Sequence, residues 1–334
     1  MSPGFARALA LGVLAEAVRF GGVMRASRRR FGTFAAVMVG SIAVGLDAAG
    51  CASSGSESSA VRALRIDTKI GVFDAIAGGP PSGRPVLLLH GFPECGLEWE
   101  SQVAALGAAG YFAVAPDQRG YSPGVRPSQV ADYHLDHAAL DVGLIADRLG
   151  WDRFDLVGHD WGAAVAWIAS ARYGSRVRTL TAVSVPHLGA FAEALRTDPA
   201  QQAASRYMDR FRRPAPIPEN EILSAGPPAL RGVSPARSAE YFRRMSEPGA
   251  LTAALHWYRA NNFEGYDQPV TAPTLFLATT NDPMVAAGAV RSTARWVTGP
   301  YRLEVLAGVG HNVPEEAAER TTALLLEHLA GHLG

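Results

Sequence analysis

Lysine and cysteine are nearly absent from this chain of 334 residues. Lys69 is the only lysine among 31 basic residues, so a function based on Schiff-base chemistry or on a P-loop lysine is set aside. The two cysteines, Cys51 and Cys95, are too few and unsuitably placed for a disulfide framework or a metal cluster. The chemistry must therefore depend on other side chains.

Neither positive nor negative charge is in excess. The 31 basic and 31 acidic side chains give a formal net charge of zero, and no basic stripe interleaves with aromatic residues, which argues against nucleic-acid binding. Hydrophobic residues make up 48% of the chain. That is enough for the core of one large α/β domain with an insertion.

The first 60 residues have the composition of an export signal followed by a tether. A twin-arginine-like motif at residues 27–31 (Ser-Arg-Arg-Arg-Phe) precedes an apolar stretch at residues 31–46. This stretch is too short to span a bilayer comfortably, but it suits the apolar region of a signal peptide. Met24 lies just before the motif, so translation from either Met1 or Met24 would retain it. We expect the protein to be exported.

Cys51 is a candidate for lipidation. Small residues at 48–50 precede it and a Ser/Gly-rich tether follows at 52–56, which resembles a bacterial lipoprotein box. Ala48 replaces the usual Leu of such boxes, and Asp47 adds a charge that they avoid. Plain secretory cleavage and an uncleaved apolar tail are the alternatives. Lipidation would attach the exported protein to a membrane.

Strand and helix patterns alternate from residue 61 onward. We predict strands at 64–66, 70–76, 85–89, 111–115, 154–157, 179–185, 273–278 and 301–306, and helices at 101–109, 138–149, 163–172 and 314–333. The first two strands form a hairpin, and the apolar run at 85–89 is typical of a central parallel strand. This alternation predicts an α/β fold with a mostly parallel, doubly wound sheet.

The alternation breaks between residues 187 and 267. This stretch has several helical patterns, a run containing Pro214, Pro216 and Pro218, and no buried strand pattern, which predicts an inserted helical cap. The predicted organisation is an export signal and tether at 1–60, a first part of the core at 61–186, the cap at 187–267 and a second part of the core at 268–334.

The other elements are organised around residues 156–163 (Leu-Val-Gly-His-Asp-Trp-Gly-Ala). A strand pattern ends at Gly158 and a helical pattern begins after Trp161, so Asp160 lies at the apex of a strand, a sharp turn and a helix. Gly158 and Gly162 have the spacing of a nucleophile elbow, whose central residue is strained. A carboxylate there needs no base to attack a saturated carbon, and the resulting ester must be cleaved. Taken alone, Asp160 is better explained as a helix cap.

Two later loops carry polar side chains at the ends of predicted strands. Asp282 lies in the loop 280–283, and His311 lies in the loop 308–312. Because α/β sheets bind ligands at the carboxyl ends of their strands, these residues are expected to meet Asp160. The order of nucleophile, acid and histidine is that of an α/β-hydrolase triad.

From about residue 62 to its end, the chain resembles the epoxide hydrolase branch of the α/β-hydrolase fold superfamily. Three motifs carry the resemblance: residues 90–94 (His-Gly-Phe-Pro-Glu) match the oxyanion loop, residues 116–121 (Pro-Asp-Gln-Arg-Gly-Tyr) the loop after the fourth strand, and residues 158–162 (Gly-His-Asp-Trp-Gly) the elbow. The resemblance implies an enzyme that converts a small apolar epoxide to a diol without a metal or cofactor.

The resemblance also implies a role for each residue of the triad. Asp160 opens the ring to give an ester, His311 activates the water that hydrolyses it, and Asp282 orients and stabilises the imidazolium. The backbone N–H groups of Phe92 and Trp161 form the oxyanion hole in this fold. The size and stereochemistry of the epoxide are left open.

An epoxide oxygen leaves well only if it receives a proton or hydrogen bond, a role for which tyrosine is suited. Residues 255–261 (Leu-His-Trp-Tyr-Arg-Ala-Asn) resemble the cap motif that carries one ring-opening tyrosine, here Tyr258, with His256 where Asn is usual. Residues 206–211 resemble the segment that carries the other, here Tyr207. Tyr241 also lies in the predicted cap and is the alternative to Tyr207. Each tyrosine has the further alternative of packing the cap on the core.

Two other functions compete with this interpretation. A haloalkane dehalogenase shares the Asp-Trp elbow, but it needs a second halide-binding side chain, commonly Asn or Trp, where this chain has Phe92. A carboxylesterase is disfavoured because the elbow has no serine. From a different class, a lipid-anchored binding protein without catalytic activity would share the fold and the tether.

The histidines include one pair with the spacing of metal ligands. His328 and His332 are separated by one helical turn near the end of the chain. No third ligand lies nearby in the sequence. We therefore expect no metal site and predict that both rings face solvent at the end of the last helix.

Overall fold

The computed structural model of the protein describes residues 60–332. The predicted export signal, Cys51 and the tether at 52–56 lie outside the described residues. Eight strands form a single sheet in the order β1-β2-β4-β3-β5-β6-β7-β8. The strands are β1 (Arg62–Thr68), β2 (Gly71–Gly78), β3 (Arg84–Leu89), β4 (Tyr111–Pro116), β5 (Phe154–His159), β6 (Val177–Val183), β7 (Thr274–Thr279) and β8 (Tyr301–Leu306).

The sheet is mostly parallel. β1 and β2 form the predicted antiparallel hairpin, and β2 also pairs antiparallel with β4. All other neighbouring strands are parallel. Every residue of β5 is buried, as expected for a central strand covered by helices on both faces. Lys69 lies exposed in the turn that joins β1 to β2 at the edge of the sheet.

Helices alternate with the strands and also form an insertion. Within residues 60–332 they are α1 (Glu100–Ala108), α2 (Leu135–Arg148), α3 (Trp161–Tyr173), α4 (Leu188–Thr197), α5 (Pro199–Ala204), α6 (Tyr207–Phe211), α7 (Ile217–Ala225), α8 (Pro235–Met245), α9 (Ala250–Ala260), α10 (Ala287–Ser292), α11 (Val313–Glu316) and α12 (Ala318–Ala330). In this part of the chain no helix has the length and apolar character needed to cross a membrane.

Helices α4 to α9 lie between β6 and β7, in the stretch where the cap was predicted. Arg244 on α8 donates to Asp117 Oδ2 at 2.8 Å, and Trp257 Nε1 on α9 donates to the Arg119 carbonyl at 3.0 Å. Asp117 and Arg119 belong to the loop that follows β4. The inserted helices therefore contact the carboxyl end of the sheet, while the exact domain boundaries stay a prediction.

The end of the chain differs from the prediction in two respects. The single helix predicted at 314–333 is two helices, α11 and α12, separated at Ala317 by a non-helical backbone. His328 was predicted to face solvent, but its ring is buried and lies beside the backbone of Leu180 and Pro273. Burial lowers the pKa of His328 to about 4. The leucines of α12 indicate only part of its buried face. The prediction was wrong because that face also includes His328.

Candidate active site

Asp160 occupies a tight turn between β5 and α3. Its backbone has φ 50° and ψ −118°, a conformation that residues with a side chain rarely adopt. A Cβ atom on Gly158 would lie 2.2 Å from the Gly162 carbonyl oxygen, and one on Gly162 would lie 2.1 Å from the Leu89 carbonyl oxygen. Strand and helix therefore approach so closely that both positions require glycine, as the elbow pattern predicts.

The loop after β3 lies against the Asp160 carboxylate. The Phe92 backbone N–H donates to Asp160 Oδ1 at 3.0 Å. A Cβ atom on Gly91 would lie 2.6 Å from the Asp160 Cβ, so this approach also depends on a glycine. Among residues 60–332, the Trp161 N–H has no hydrogen bond to that carboxylate, although Trp161 is the first residue of α3.

His90 holds this loop in place. The Gln118 backbone N–H donates to His90 Nε2 at 3.0 Å, so the proton of the ring lies on Nδ1. Nδ1 then donates to the Gly91 carbonyl at 2.8 Å. Burial lowers the pKa of His90 to about 4, which keeps the ring neutral. His90 therefore has a structural role.

His311 lies between two carboxylates. Its Nδ1 is 2.8 Å from Asp282 Oδ2, and its Nε2 is 3.3 Å from Asp160 Oδ2. The Met284 N–H donates to the other Asp282 oxygen at 2.8 Å. The structure thus brings Asp160, Asp282 and His311 together at the ends of β5, β7 and β8.

The charges of this group stabilise one another. Burial acts to lower the pKa of His311, but the neighbouring carboxylates of Asp282 and Asp160 hold it well above its usual value. Burial acts to raise the pKa of Asp160, yet its interaction with His311 holds it below the usual value. At neutral pH these interactions favour a protonated His311 beside an ionised Asp160.

Two of the tyrosines lie beside each other and near Asp160. The rings of Tyr207 and Tyr258 have centroids 6.2 Å apart, and Tyr258 packs edge-on to Trp161 at 4.9 Å. Burial, together with the Asp160 charge, raises the pKa of both phenols well above the usual value. Both therefore remain protonated at neutral pH and are able to donate hydrogen bonds.

Tyr241 is buried elsewhere. It lies on α8, where the carboxyl groups that influence it most are those of Glu315, Glu98 and Glu94. The Asp160 charge raises the pKa of Tyr207 and Tyr258 but is not among the main influences on Tyr241. The structure therefore places Tyr207, and not Tyr241, beside Tyr258.

A mainly apolar cavity opens in front of Asp160. It holds about 340 Å³ of empty space, counted with its opening to solvent. Its lining residues are Asp160, Trp161, Ala164, Val185, Phe191, Tyr207, Met208, Phe263, Met284 and Val285. Phe263 stacks on Trp161 with centroids 5.3 Å apart, and Phe191 contacts Phe263 edge-on at 5.2 Å.

The sequence did not predict most of this lining. Phe191, Met208 and Phe263 come from three separate stretches of the inserted region, where no local pattern distinguishes a cavity wall from ordinary packing. For Met284 and Val285 the sequence does contain one indication. They directly follow the loop that carries Asp282, so they could have been expected near the site. Glu98 was also missed, because Glu94 and Glu100 lie close to it in the sequence and no local pattern marks Glu98 as the one that contacts His159.

The comparisons with known proteins identify the family of the fold. Residues 84–318 match the model of the α/β-hydrolase fold family. Epoxide hydrolase A of Mycobacterium tuberculosis is 30% identical to this chain, and the match covers 80% of this chain and 96% of that protein. Epoxide hydrolase 3 of Xenopus tropicalis is also 30% identical, with 77% and 74% covered.

A solved structure supports the same relationship. An epoxide hydrolase of the α/β-hydrolase superfamily, from metagenomes of hot environments, superimposes with a TM-score of 0.74. It is 27% identical, and the match covers 82% of this chain and all of that one. The chain belongs to the α/β-hydrolase fold family, in its epoxide hydrolase-like branch.

Proposed function

We propose that this protein hydrolyses a small apolar epoxide to a vicinal diol through an ester formed on Asp160. The observation that carries the proposal is the position of the Asp160 carboxylate. It is bound by Phe92 N–H at 3.0 Å, faces His311 Nε2 at 3.3 Å and lines an apolar cavity. The relatives named as epoxide hydrolases support the same activity.

In the first half-reaction, an Asp160 oxygen attacks a carbon of the epoxide ring. The carbon–oxygen bond on the opposite side breaks, and the oxygen that carried that bond takes a proton from Tyr258 or Tyr207. The product is a hydroxyalkyl ester of Asp160 and a phenolate that regains its proton from solvent. Buried phenols with a raised pKa suit this step because they are protonated before the reaction begins.

In the second half-reaction, water attacks the carbonyl carbon of the ester. His311 takes one proton from this water, and Asp282 stabilises the resulting imidazolium. The negative charge develops on an oxygen of Asp160, for which the Phe92 N–H is already in place and Trp161 N–H is the second proposed donor. When this intermediate collapses, the bond from the Asp160 carbonyl carbon to the diol oxygen breaks and that oxygen takes the proton held by His311. The Asp160 carboxyl group then gives its remaining proton to solvent, which restores the carboxylate.

Ester formation also prepares His311 to act as a base. In the free protein the ionised Asp160 helps to keep His311 protonated. The ester is uncharged, so its formation removes one of the two anions that raise the pKa of His311. His311 therefore loses its extra proton more readily at the stage where a base is needed.

The alternatives have less support. For a haloalkane dehalogenase, the position of the second halide ligand is Phe92, whose ring packs against Phe211 and Tyr258 at 5.4 Å each and offers no polar atom. A binding protein without activity would have no use for a protonated histidine between two carboxylates. We therefore expect turnover.

A panel of small substrates tests the proposal. The full-length protein should release diol from aryl and short alkyl epoxides, and it should release no halide from haloalkanes of matched size. Asp160→Asn should lose this activity, because an amide is a poor nucleophile. Halide release without diol formation would establish the dehalogenase alternative, and no turnover of either class would support the binding protein.

The proposal extends to the location of the protein. The twin-arginine-like motif at 27–31 supports export, and the residues around Cys51 support its lipidation and attachment to a membrane. The rest of the chain would then act outside the cytosol.

Fractionation of bacterial cells that express the full chain tests this location. The protein should be found in the membrane fraction, and Cys51→Ser should release it without affecting its activity. Replacement of Arg28 and Arg29 by Lys should retain it in the cytosol. A wild-type chain found in the cytosol with residues 24–50 still attached would rule out export.

A further inference from the structure

Glu98 is a buried carboxylate that the proposed reaction does not use. It lies in a 3₁₀ turn (Gly96–Trp99) and is 2% exposed. One of its oxygens accepts the Gly91 backbone N–H at 3.2 Å, and the other is 2.5 Å from His159 Nδ1. Gly91 precedes the oxyanion donor Phe92, and His159 precedes Asp160. Glu98 therefore joins the two segments that meet at the proposed nucleophile.

The other side of the His159 ring contacts the segment that carries the proposed base. His159 Nε2 is 2.8 Å from the His311 carbonyl oxygen. A carbonyl only accepts hydrogen bonds, so Nε2 must carry a proton. The same carbonyl accepts the Ser184 hydroxyl at 3.0 Å. The position of His311 thus depends on a ring whose other nitrogen faces Glu98.

The proton between His159 Nδ1 and Glu98 has two possible positions. It resides on the nitrogen, which gives an imidazolium and a carboxylate, or on the oxygen, which gives two neutral groups. Burial acts to lower the pKa of His159, but Glu98 outweighs it and the pKa is raised. A short contact between fully buried partners fits the charged arrangement.

Two further acidic groups lie near this pair. Burial and the Glu98 charge raise the pKa of Glu94 to about 8 and that of Glu315 to about 7. Asp160 and His311 are the other charged groups that face His159. Near neutral pH Glu94 is therefore mostly uncharged, and Glu98 is the carboxyl group of this cluster that directly contacts the His159 ring.

We propose that Glu98 and His159 form a permanent buried ion pair that positions the oxyanion loop and His311, and that places a fixed positive charge beside Asp160. The two are positioning residues, since they act through Gly91, Phe92 and His311 and not on the substrate. This inference rests on the proposed function. It adds that hydrolysis of the ester depends on the charge at His159.

The positive charge has a defined effect on ester hydrolysis. The rings of His159 and His311 have centroids 5.0 Å apart, so an imidazolium at His159 disfavours a second imidazolium at His311. The effect keeps His311 unprotonated over a wider pH range in the ester. The same charge stabilises the oxyanion that develops on Asp160.

Histidine-selective ¹⁵N NMR of the full-length protein tests the charge directly, with His159→Gln to assign the signals. At about pH 8, well above the usual pKa of histidine, both nitrogens of His159 should carry protons. In Glu98→Gln only Nε2 should do so, because the amide group of the introduced side chain can donate to Nδ1. A wild-type His159 with a bare Nδ1 would overturn the ion pair.

Single-turnover kinetics test the effect on the reaction. Glu98→Gln retains the hydrogen bonds to Gly91 and His159 but removes the charge, so ester formation should be nearly unchanged. Without the positive charge at His159, the pKa of His311 in the ester should rise by about one unit. On the acidic side of the pH profile, ester hydrolysis should therefore be about tenfold slower at a given pH. Glu98→Ala removes the hydrogen bonds as well as the charge, so it should slow both ester formation and ester hydrolysis. Ester formation in Glu98→Gln should be faster than in Glu98→Ala, because the hydrogen bonds are kept. An unshifted pH profile in Glu98→Gln would contradict the proposal.

The matched control is Glu319→Gln, which removes an exposed carboxylate and should leave both steps and the pH profile unchanged. The outcomes also separate this inference from the proposed function. If the wild type turns over no epoxide, the proposed function fails, but the NMR result still decides whether the ion pair exists. If turnover is normal and His159 is neutral, only this inference fails.

Discussion

Replacing His311 with glutamine should stop turnover and trap the protein as an ester on Asp160. The carboxylate needs no base to open the epoxide, whereas hydrolysis of the ester needs the imidazole to take a proton from water. We expect turnover to fall by about 10⁴-fold or more. Intact-mass measurement should show a gain equal to the whole epoxide, because ring opening expels no leaving group, and peptide mapping should place the gain on Asp160.

His137→Gln is the matched control, since His137 lies on α2 and does not line the cavity. It should turn over epoxide normally and accumulate no adduct. A dehalogenase would instead gain an alkyl group without its halide, and only from a haloalkane. An adduct on a residue other than Asp160, or none with an epoxide that the wild type hydrolyses, would exclude the proposed nucleophile.

The second large effect concerns ring opening. Tyr258→Phe should slow ester formation by about 10²–10³-fold, because the leaving oxygen loses a proton donor. Ester hydrolysis should change little, since the phenol acts only on the epoxide oxygen. Tyr207→Phe should act in the same way, and the double variant should form no detectable ester. Rapid-quench measurement of the two half-reactions separates these effects.

Tyr241→Phe is the discriminating variant. It removes a buried hydroxyl whose neighbouring carboxyl groups are those of Glu315, Glu98 and Glu94 and not that of Asp160, so it should leave ester formation unchanged. If it slowed ring opening and Tyr207→Phe did not, the pair of acids would be Tyr258 and Tyr241. Unchanged ester formation in Tyr258→Phe would remove that residue from the mechanism.

Local sequence patterns were sufficient to predict the sheet and the elbow. The turn at Asp160 is encoded by glycines two residues away on either side. The central strands have apolar runs, whereas β1 and β8 have alternating apolar and charged residues. The three loops that bring Asp160, Asp282 and His311 together each follow a strand, so the parallel sheet alone predicts their meeting. The roles assigned to these residues stay predictions until the variants are measured.

Features that depend on contacts between distant segments were not predicted. The lining residue Phe263 stacks on Trp161, which lies far earlier in the chain, and the sequence gives no sign of this contact. Glu98 reaches His159 in the same way. The burial of His328 depends on how α12 sits against β6 and β7, which its own helical pattern does not specify.

The exposed hairpin turn between β1 and β2 gives the protein a single handle for chemical attachment. Lys69 is the only lysine in the chain, so amine-directed coupling to side chains has one target besides the amino terminus. The guanidinium groups of the arginines that replace lysine elsewhere do not react under such conditions. Coupling through Lys69 would hold every molecule by the edge of its sheet, and the proposed site, which contains no amine, would be left unmodified.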